Sequence, residues 1–373
     1  MKLARKLSLL HHLFKAKLPP LPRKKRGNLI IRLDRIGDFA LYAPYLRAAL
    51  SKDEENYLLV NELWAELCEK LFPGVRIIPL TPARFLNESS YRSQMLKTVS
   101  KLKVREVIQP RFYRELFVEE LLALAASPDE TVRFEATPFH LQPELLRLFS
   151  SRRAGELPYI PEEHELQRNS RFAEKCDNFF KVENPWLSKP FSLPKNFPCK
   201  DYVCVFPGSG KGKLCCWQSE KWGELLKNLD QPFYLITGTP AEKEMIDTIV
   251  ALLPPRRAAG MTDLTLAEFA GVVTHARFAL GNDTGGIHLA AMSGVPSAAI
   301  SGRGQPGWFL PYPAKEFLPQ GVIPPLVISS QCSCENCFWR CNDLREGVCR
   351  CVADITVSQV QSALEKSSFS AFL

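Results

Sequence analysis

The chain has 373 residues, a formal net charge of +8, 46% apolar and 24% charged residues, the composition of an ordinary soluble globular protein. That length exceeds one typical core and divides most simply into two domains. No apolar run nears the ~20 residues that span a bilayer, and no long apolar core precedes a small-residue cleavage site, which argues against a spanning or exported chain and predicts a cytoplasmic one.

Residues 1–50 hold twelve Lys or Arg against two acids, Asp34 and Asp38, so this end alone accounts for the basic excess. Such a block attracts an anion: lipid headgroups, a phosphorylated glycolipid or nucleic acid. It lacks interleaved aromatics or a recognised nucleic-acid module, so nucleic acid is not expected. In the leader, 1–27, residues Leu7, Leu10, Phe14 and Leu18 fall at helical spacing among Arg5, Lys6, Lys15 and Lys17. That pattern predicts either an amphipathic helix that touches a membrane surface or a solvated leader.

From 28 to 160, apolar runs at 28–33, 57–60, 75–80, 104–108 and 131–134 alternate with helical stretches at 39–50 and 113–126. Alternation of this kind predicts a parallel, right-handed α/β sheet. Pro44 should kink the first of these helices or open its regular part. Residues 161–200 are charged and proline-punctuated and read as a linker, with a bridging helix over 163–180. A second series fills 201–330: strands at 202–206, 233–237, 277–280 and 296–300, helices at 219–229, 240–252, 265–274 and 286–293. The remainder, 331–373, is rich in cysteine and closes with a helix over 358–366.

Two turns in the second series have the form of anion sites. The run 278–280 breaks at Gly281-Asn282-Asp283-Thr284-Gly285-Gly286 before a helix, and Pro207-Gly208-Ser209-Gly210 follows another strand. Glycines let the backbone approach a ligand, Asp283 or Thr284 can cap the helix, and first-turn amides suit a phosphate. Turns of this kind also serve tight packing alone. His288 lies one turn into the helix, where a lone histidine is commonly a packed core residue. Asp38 ends the first strand's turn, where an Asp after Gly commonly caps a helix, and Asp34 reads as an ion-pair partner of Arg32 or Arg35.

DTGGIHLAA followed by a GVP strand resembles the signature of glycosyltransferase family nine, the bacterial heptosyltransferases. RLDRIGDFALYAPYLRAAL is similar to that family's opening motif and VFPGSGKGKLCCWQSEKWGELL to its central phosphate-loop motif, all three in the family's order. The resemblance implies a GT-B architecture, two Rossmann-like doubly wound domains facing across a cleft, and inverting transfer from an ADP-heptose or similar nucleotide-sugar donor to a lipopolysaccharide-core acceptor. It implies that Asp38 is the general base, that Ser209, Gly210, Asp283, Thr284, Gly285, Gly286 and His288 hold the donor diphosphate, and that no cofactor is needed for catalysis. Glu242 fits the ribose hydroxyls and also reads as a helix-dipole carboxylate; Leu264 resembles the position that packs on the base and equally reads as core. Family members commonly carry a Lys before the aromatic segment, where this chain has Cys215. Lys213, or else Lys211, is close enough to replace it.

Of twelve cysteines, six are scattered and six crowd the tail. Cys334, Cys337, Cys349 and Cys351 have the density of a structural zinc or iron site, with free thiols as the alternative; in related autotransporter heptosyltransferases such a tail resembles an iron-binding finger. Two other functions remain open: transfer to a protein side chain, and non-catalytic binding of a nucleotide sugar or anionic lipid.

Overall fold

The computed structural model describes residues 2–16, 27–50, 55–136, 144, 154–176, 182–229, 231–332 and 336–372. Two compact units emerge. Unit 1 comprises Met1–Arg35, Tyr45–Pro161 and Asn169–Val182, and unit 2 comprises Ile36–Pro44, Glu162–Arg168 and Glu183–Leu373.

Unit 1 is built on β1 (Asn28–Arg32), β2 (Asn56–Asn61), β3 (Arg76–Leu80), β4 (Glu106–Gln109), β5 (Glu130–Phe134) and β6 (Ala154–Leu157). All pair in parallel, in the order β3-β2-β1-β4-β5-β6. Every residue of β1 is buried, as a strand covered on both faces requires. The helices over this part of the chain are, in order, α1 (Lys2–Ala16), α2 (Ile36–Leu46), α3 (Ala65–Leu71), α4 (Pro82–Asn87), α5 (Ser89–Ser100), α6 (Leu121–Ala126) and α7 (Glu165–Cys176); α2 as far as Pro44 and the first turn of α7 belong to unit 2. Residues 116–120, expected to be plain α-helix, make a π-helical turn that leads into α6.

α1 corrects the reading of its faces. Leu9 and Leu13 are buried, and Leu13 joins the core formed by Leu29, Leu59 and Leu121, whereas Leu7 and Phe14 are exposed. The docked stripe is therefore an i, i+4 pair one position off the predicted set. Leu18 lies outside the described residues.

Pro44 neither opens nor ends α2; it stands inside it. Its ring has no N–H for the carbonyl four residues back. The indole Nε1 of Trp186 donates to that carbonyl, Ala40 O, at 3.0 Å, and fills the gap.

Unit 2 holds β7 (Val203–Phe206), β8 (Tyr234–Thr237), β9 (Ala258–Met261), β10 (Phe278–Asn282), β11 (Ser297–Ile300) and β12 (Leu326–Ile328), again all parallel, ordered β12-β11-β10-β7-β8-β9. Its helices are α8 (Ser219–Leu229), α9 (Lys243–Leu252), α10 (Leu266–Thr274), α11 (Gly285–Met292), α12 (Arg350–Ala353) and α13 (Val357–Glu365). A short hairpin, β13 (Leu344–Arg345) with β14 (Val348–Cys349), completes it. Val348, Cys349, Cys351, Val352, Ile355, Val360 and Leu364 belong to the same core as Trp217, Trp222 and Phe278. The tail is thus part of this unit's interior. Both sheets run in the Rossmann order, so the point where the order reverses falls between β1 and β4 in one and between β7 and β10 in the other.

Candidate active site

In unit 2 the reversal point coincides with the two glycine turns. Gly281 pairs with Phe206 in register, so the loops after β7 and β10 leave the sheet side by side. Phe206 fills the space a side chain would need: a Cβ on Gly281 would stand 2.8 Å from Phe206 Cβ, and one on Gly286 would stand 2.8 Å from its ring. Asn282, buried at the end of β10, ties the loops together. Its Nδ2 donates to Pro207 O at 2.5 Å and its Oδ1 accepts from Trp217 N at 3.3 Å.

The N-cap of α11 is Thr284, in extended conformation with no side-chain cap bond. Its Oγ1 is buried and has no partner among the described residues. A buried hydroxyl without a partner is costly, and together with the first-turn amides of Gly285 and Gly286 it forms a set of donors without an internal acceptor. Ser209 Oγ accepts from Lys211 N at 3.3 Å, a bond that uses a lone pair of the hydroxyl and not its O–H.

Asp283 and His288 flank this cradle. Burial raises the Asp283 carboxyl pKa, and Lys211 opposes that shift. His288 is buried, and desolvation lowers its pKa to about 4, so the ring is neutral at pH 7. Its Nδ1 is 3.0 Å from Tyr312 Oη, whose ring lies parallel at 5.9 Å. Nε2 lies 3.7 Å from Asp283 Oδ1, too long for a hydrogen bond, so the neutral ring and the Asp283 side chain do not form an ion pair.

Asp38 enters from the segment that packs on α11. Gly37 and Gly285 stand back to back: a Cβ on Gly37 would lie 3.2 Å from Gly285 Cα and 3.3 Å from His288 Cδ2, and one on Gly285 would lie 2.8 Å from Ile36 Cγ2. A side chain at 285 could not be added without a shift, and one at 37 would press its neighbours aside by tenths of an ångström, so glycine suits this approach at both. Asp38 is half-buried in the first turn of α2, where the N-cap is Arg35, so it is not the capping residue. Asp34 pairs with Arg32 at 2.9 Å.

Glu242 does two things at once. Its Oε2 accepts from Thr239 N at 2.7 Å and Thr239 Oγ1 at 2.8 Å in a capping box. Its Oε1 occupies the space beside Gly208, where a Cβ would stand only 1.8 Å away. Leu264 is half-buried just before the Thr265 cap of α10. Gly210, Lys211 and Lys213 are exposed, and Lys213 runs past the β13–β14 turn, its Cε 3.9 Å from a Cβ placed on Gly347. Cys215 is buried and its thiol pKa is raised by desolvation.

Several residues here escaped the sequence reading. Asn282 is one. His164 is another: its Nε2 meets Phe309 O at 2.8 Å, its Nδ1 accepts from Leu166 N at 3.0 Å, and burial lowers its pKa to about 4. Beside it Glu165 and Arg168 form a buried pair at 2.9 Å, with the guanidinium 4.9 Å over the Trp308 ring. The histidine stands in a stretch whose charge and prolines read as linker, and its one local signal is a histidine amid charged residues.

Cys337 is half-buried, Cys349 and Cys351 are buried, and Cys334 lies outside the described residues. Burial, with the Cys341 thiol beside it, pushes Cys349 up to about 12. Among the described residues no group of three or more His, Cys, Asp or Glu could hold a metal ion.

Two parallel sheets of Rossmann order, the second opening on a glycine-built anion cradle, define the GT-B class of glycosyltransferases. Residues 143–318 match the model for glycosyltransferase family 9 (heptosyltransferase). Among solved structures it is similar to the E. coli ADP-heptose lps heptosyltransferase II, at 16% identity over 92% of this chain and 98% of that one, TM-score 0.63. It is similar to E. coli heptosyltransferase WaaC with ADP at 18% identity over 91% and 99%, TM-score 0.67. The iron-containing dodecameric glycosyltransferase TibC from enterotoxigenic E. coli H10407 aligns at 15% identity over 93% and 77%, TM-score 0.52. At such identities the likeness is one of fold. A search of curated proteins found no match. The matched segment includes both glycine turns, Glu242 and Leu264, and leaves out Asp38.

Proposed function

We propose that the chain is an inverting glycosyltransferase that moves a heptose, or a similar sugar, from an ADP-sugar to an acceptor hydroxyl. The observation that carries this is the contact of Gly37 with Gly285, which sets the first turn of α2, with Asp38, against the N-terminus of α11. In this reading the diphosphate lies on the amides of Gly285 and Gly286 and the Thr284 hydroxyl, with Gly210 and Ser209 on the opposite loop. Lys211 supplies the countercharge that Cys215 cannot, with Lys213 farther along the same loop. Glu242 takes the ribose hydroxyls and Leu264 packs on the base. Neutral His288 offers a hydrogen bond without adding charge. The acceptor oxygen attacks the anomeric carbon from the side opposite the diphosphate, the glycosidic bond forms as the sugar–phosphate bond breaks, the proton passes to Asp38, and the nucleotide diphosphate leaves.

Replacing Asp38 by Asn keeps shape and removes the base. Turnover should fall by about a thousandfold while ADP affinity stays within about twofold; calorimetry and a labelled-donor assay measure both, and turnover near wild type would remove Asp38 from this role.

For the acceptor we favour a lipopolysaccharide core, because the basic block at 1–50 suits a phosphorylated, acidic glycan and one structural relative is named for that reaction. Transfer to a protein side chain is the second reading, favoured by the resemblance of the cysteine-rich tail to that of autotransporter heptosyltransferases. Incubation of labelled donor with each acceptor separates them. A structural zinc or iron ion is proposed at Cys334, Cys337, Cys349 and Cys351; the described thiols alone do not compose a site, so the ion requires Cys334. Metal analysis of protein purified without chelators should find about one equivalent per chain, and less than ~0.2 would dismiss it.

A further inference from the structure

The lysine expected at 215 is a buried cysteine, yet positive charge is present at the turn. Lys211 lowers the otherwise raised pKa of both Asp283 and Cys215, so its ammonium is close enough to act on each. Its position is defined by the tail. Nζ stands 3.9 Å from the centroid of the Trp339 ring and 3.4 Å from Gln305 Oε1.

Trp339 is held in turn by the loop after β11. Gly302 and Gly304 leave a slot for the indole: a Cβ on Gly304 would stand 2.5 Å from its Cδ2, and one on Gly302 would stand 2.8 Å from its Cη2. Asn336 N donates to Arg303 O at 3.1 Å and Phe338 N to Gly304 O at 2.9 Å, fixing the backbone on either side. Phe338 and Trp339 adopt φ of 50° and 61°, a region that side-chain-bearing residues rarely occupy and that persists where surrounding contacts hold it.

A lysine on an exposed loop is a mobile point charge whose ordering opposes ligand binding. An aromatic face beneath the ammonium sets its place in advance, at a favourable energy. We propose that Trp339 is a positioning residue for the donor site, its ring and Gln305 holding the Lys211 ammonium at the glycine turns so that a nucleoside diphosphate meets an ordered cation. The proposal rests on the donor reading above and adds to it that the cysteine-rich tail completes the phosphate site.

The test is calorimetry of ADP binding to the full chain and to Trp339→Ala, Trp339→Phe, Lys211→Ala and the double variant Lys211→Ala/Trp339→Ala. Trp339→Ala should weaken ADP roughly threefold to tenfold, Trp339→Phe should restore most of the affinity, and Trp339→Ala should add nothing once Lys211 is gone. A merely structural tryptophan predicts instead the same loss with or without Lys211. Should Trp339→Ala fail to fold, Trp339→Leu, which keeps bulk without a π face, carries the same comparison. Wild-type protein that does not bind ADP overturns the donor reading and this proposal with it. Binding by the wild type that is unchanged in Trp339→Ala, or reduced equally in the Lys211→Ala background, overturns this proposal alone.

Discussion

The two sheets share one strand order, and their reversal points are furnished in opposite ways. In unit 1, β1 ends in Arg32 and β4 in Gln109. Arg32 pairs with Asp34, Arg111 with Glu119, Arg114 with Glu120, and Arg133 reaches both Glu120 at 3.5 Å and Glu156 at 2.9 Å. Gln109 is buried, and neither end of its amide has a partner among the described residues. In unit 2 the same topological place is made of Gly208, Gly281, Gly285 and Gly286, where side chains would collide with Glu242, Phe206 or Ile36. One site speaks through charged side chains, the other through backbone amides. Topology fixes where a ligand can sit, and the residues placed there fix which ligand it is. A close-fitting amide cradle suits a diphosphate, whereas the buried arginines and acids of unit 1 satisfy one another.

Three changes probe that contrast, from the largest expected effect downwards. Arg114→Ala removes one member of a buried pair and leaves Glu120 short of a countercharge; unfolding in urea should show about 3–5 kcal/mol of lost stability. A loss below about 1 kcal/mol would mean that water reaches the network and that the charges of unit 1 are not held as described. Asn282→Ala tests the other side. The amides of the loop after β10 lose their tie to Pro207 O and to Trp217 N, which should cost about 1–3 kcal/mol and weaken ADP binding, while Arg114→Ala at a temperature where it stays folded should leave ADP binding alone.

The smallest effect is on pH. His164 and His288 are held neutral by burial, each lowered to about 4. Unfolded, each titrates near the ordinary value of about 6.5, so below that pH the unfolded chain binds more protons than the native one. The stability these groups contribute is therefore present above about pH 6.5 and lost as pH falls towards 4, on the order of 1 kcal/mol or more for each. Melting curves from pH 7 to 4.5 should show the decline, and His164→Asn should flatten it. An unchanged slope in that variant would count against a buried neutral His164.

What could be read from the residues was what repeats or punctuates. Residues 28–33 and 278–280 are short apolar runs cut by glycine turns, and both become the central strands that face the reversal points. β6, β9 and β12 were not legible: Ala258–Met261 is small and half-exposed, without an apolar run or alternation to mark it. For α1 the sequence leaves an amphipathic helix and a solvated leader as alternatives, and the stripe it suggests is off by a position, since Leu7, Leu9, Leu10, Leu13 and Phe14 allow more than one stripe at 3.6 residues per turn. At the proposed site, the glycines and Asp38 stand out by motif. Asn282, His164 and Trp339 do not, because each acts through partners far away in the sequence. No local pattern foretells that a tryptophan between two cysteines stacks on a lysine more than a hundred residues earlier.

The depth of residues 348–364 in the interior of unit 2 bears on how the molecule comes into being. Trp217 donates its indole N–H to Ile355 O at 2.9 Å, and Lys221 gives its ammonium to Ala353 O and Ile355 O. The second half therefore does not complete its core at β12: its apolar surface is covered only once residues 348–364 have docked.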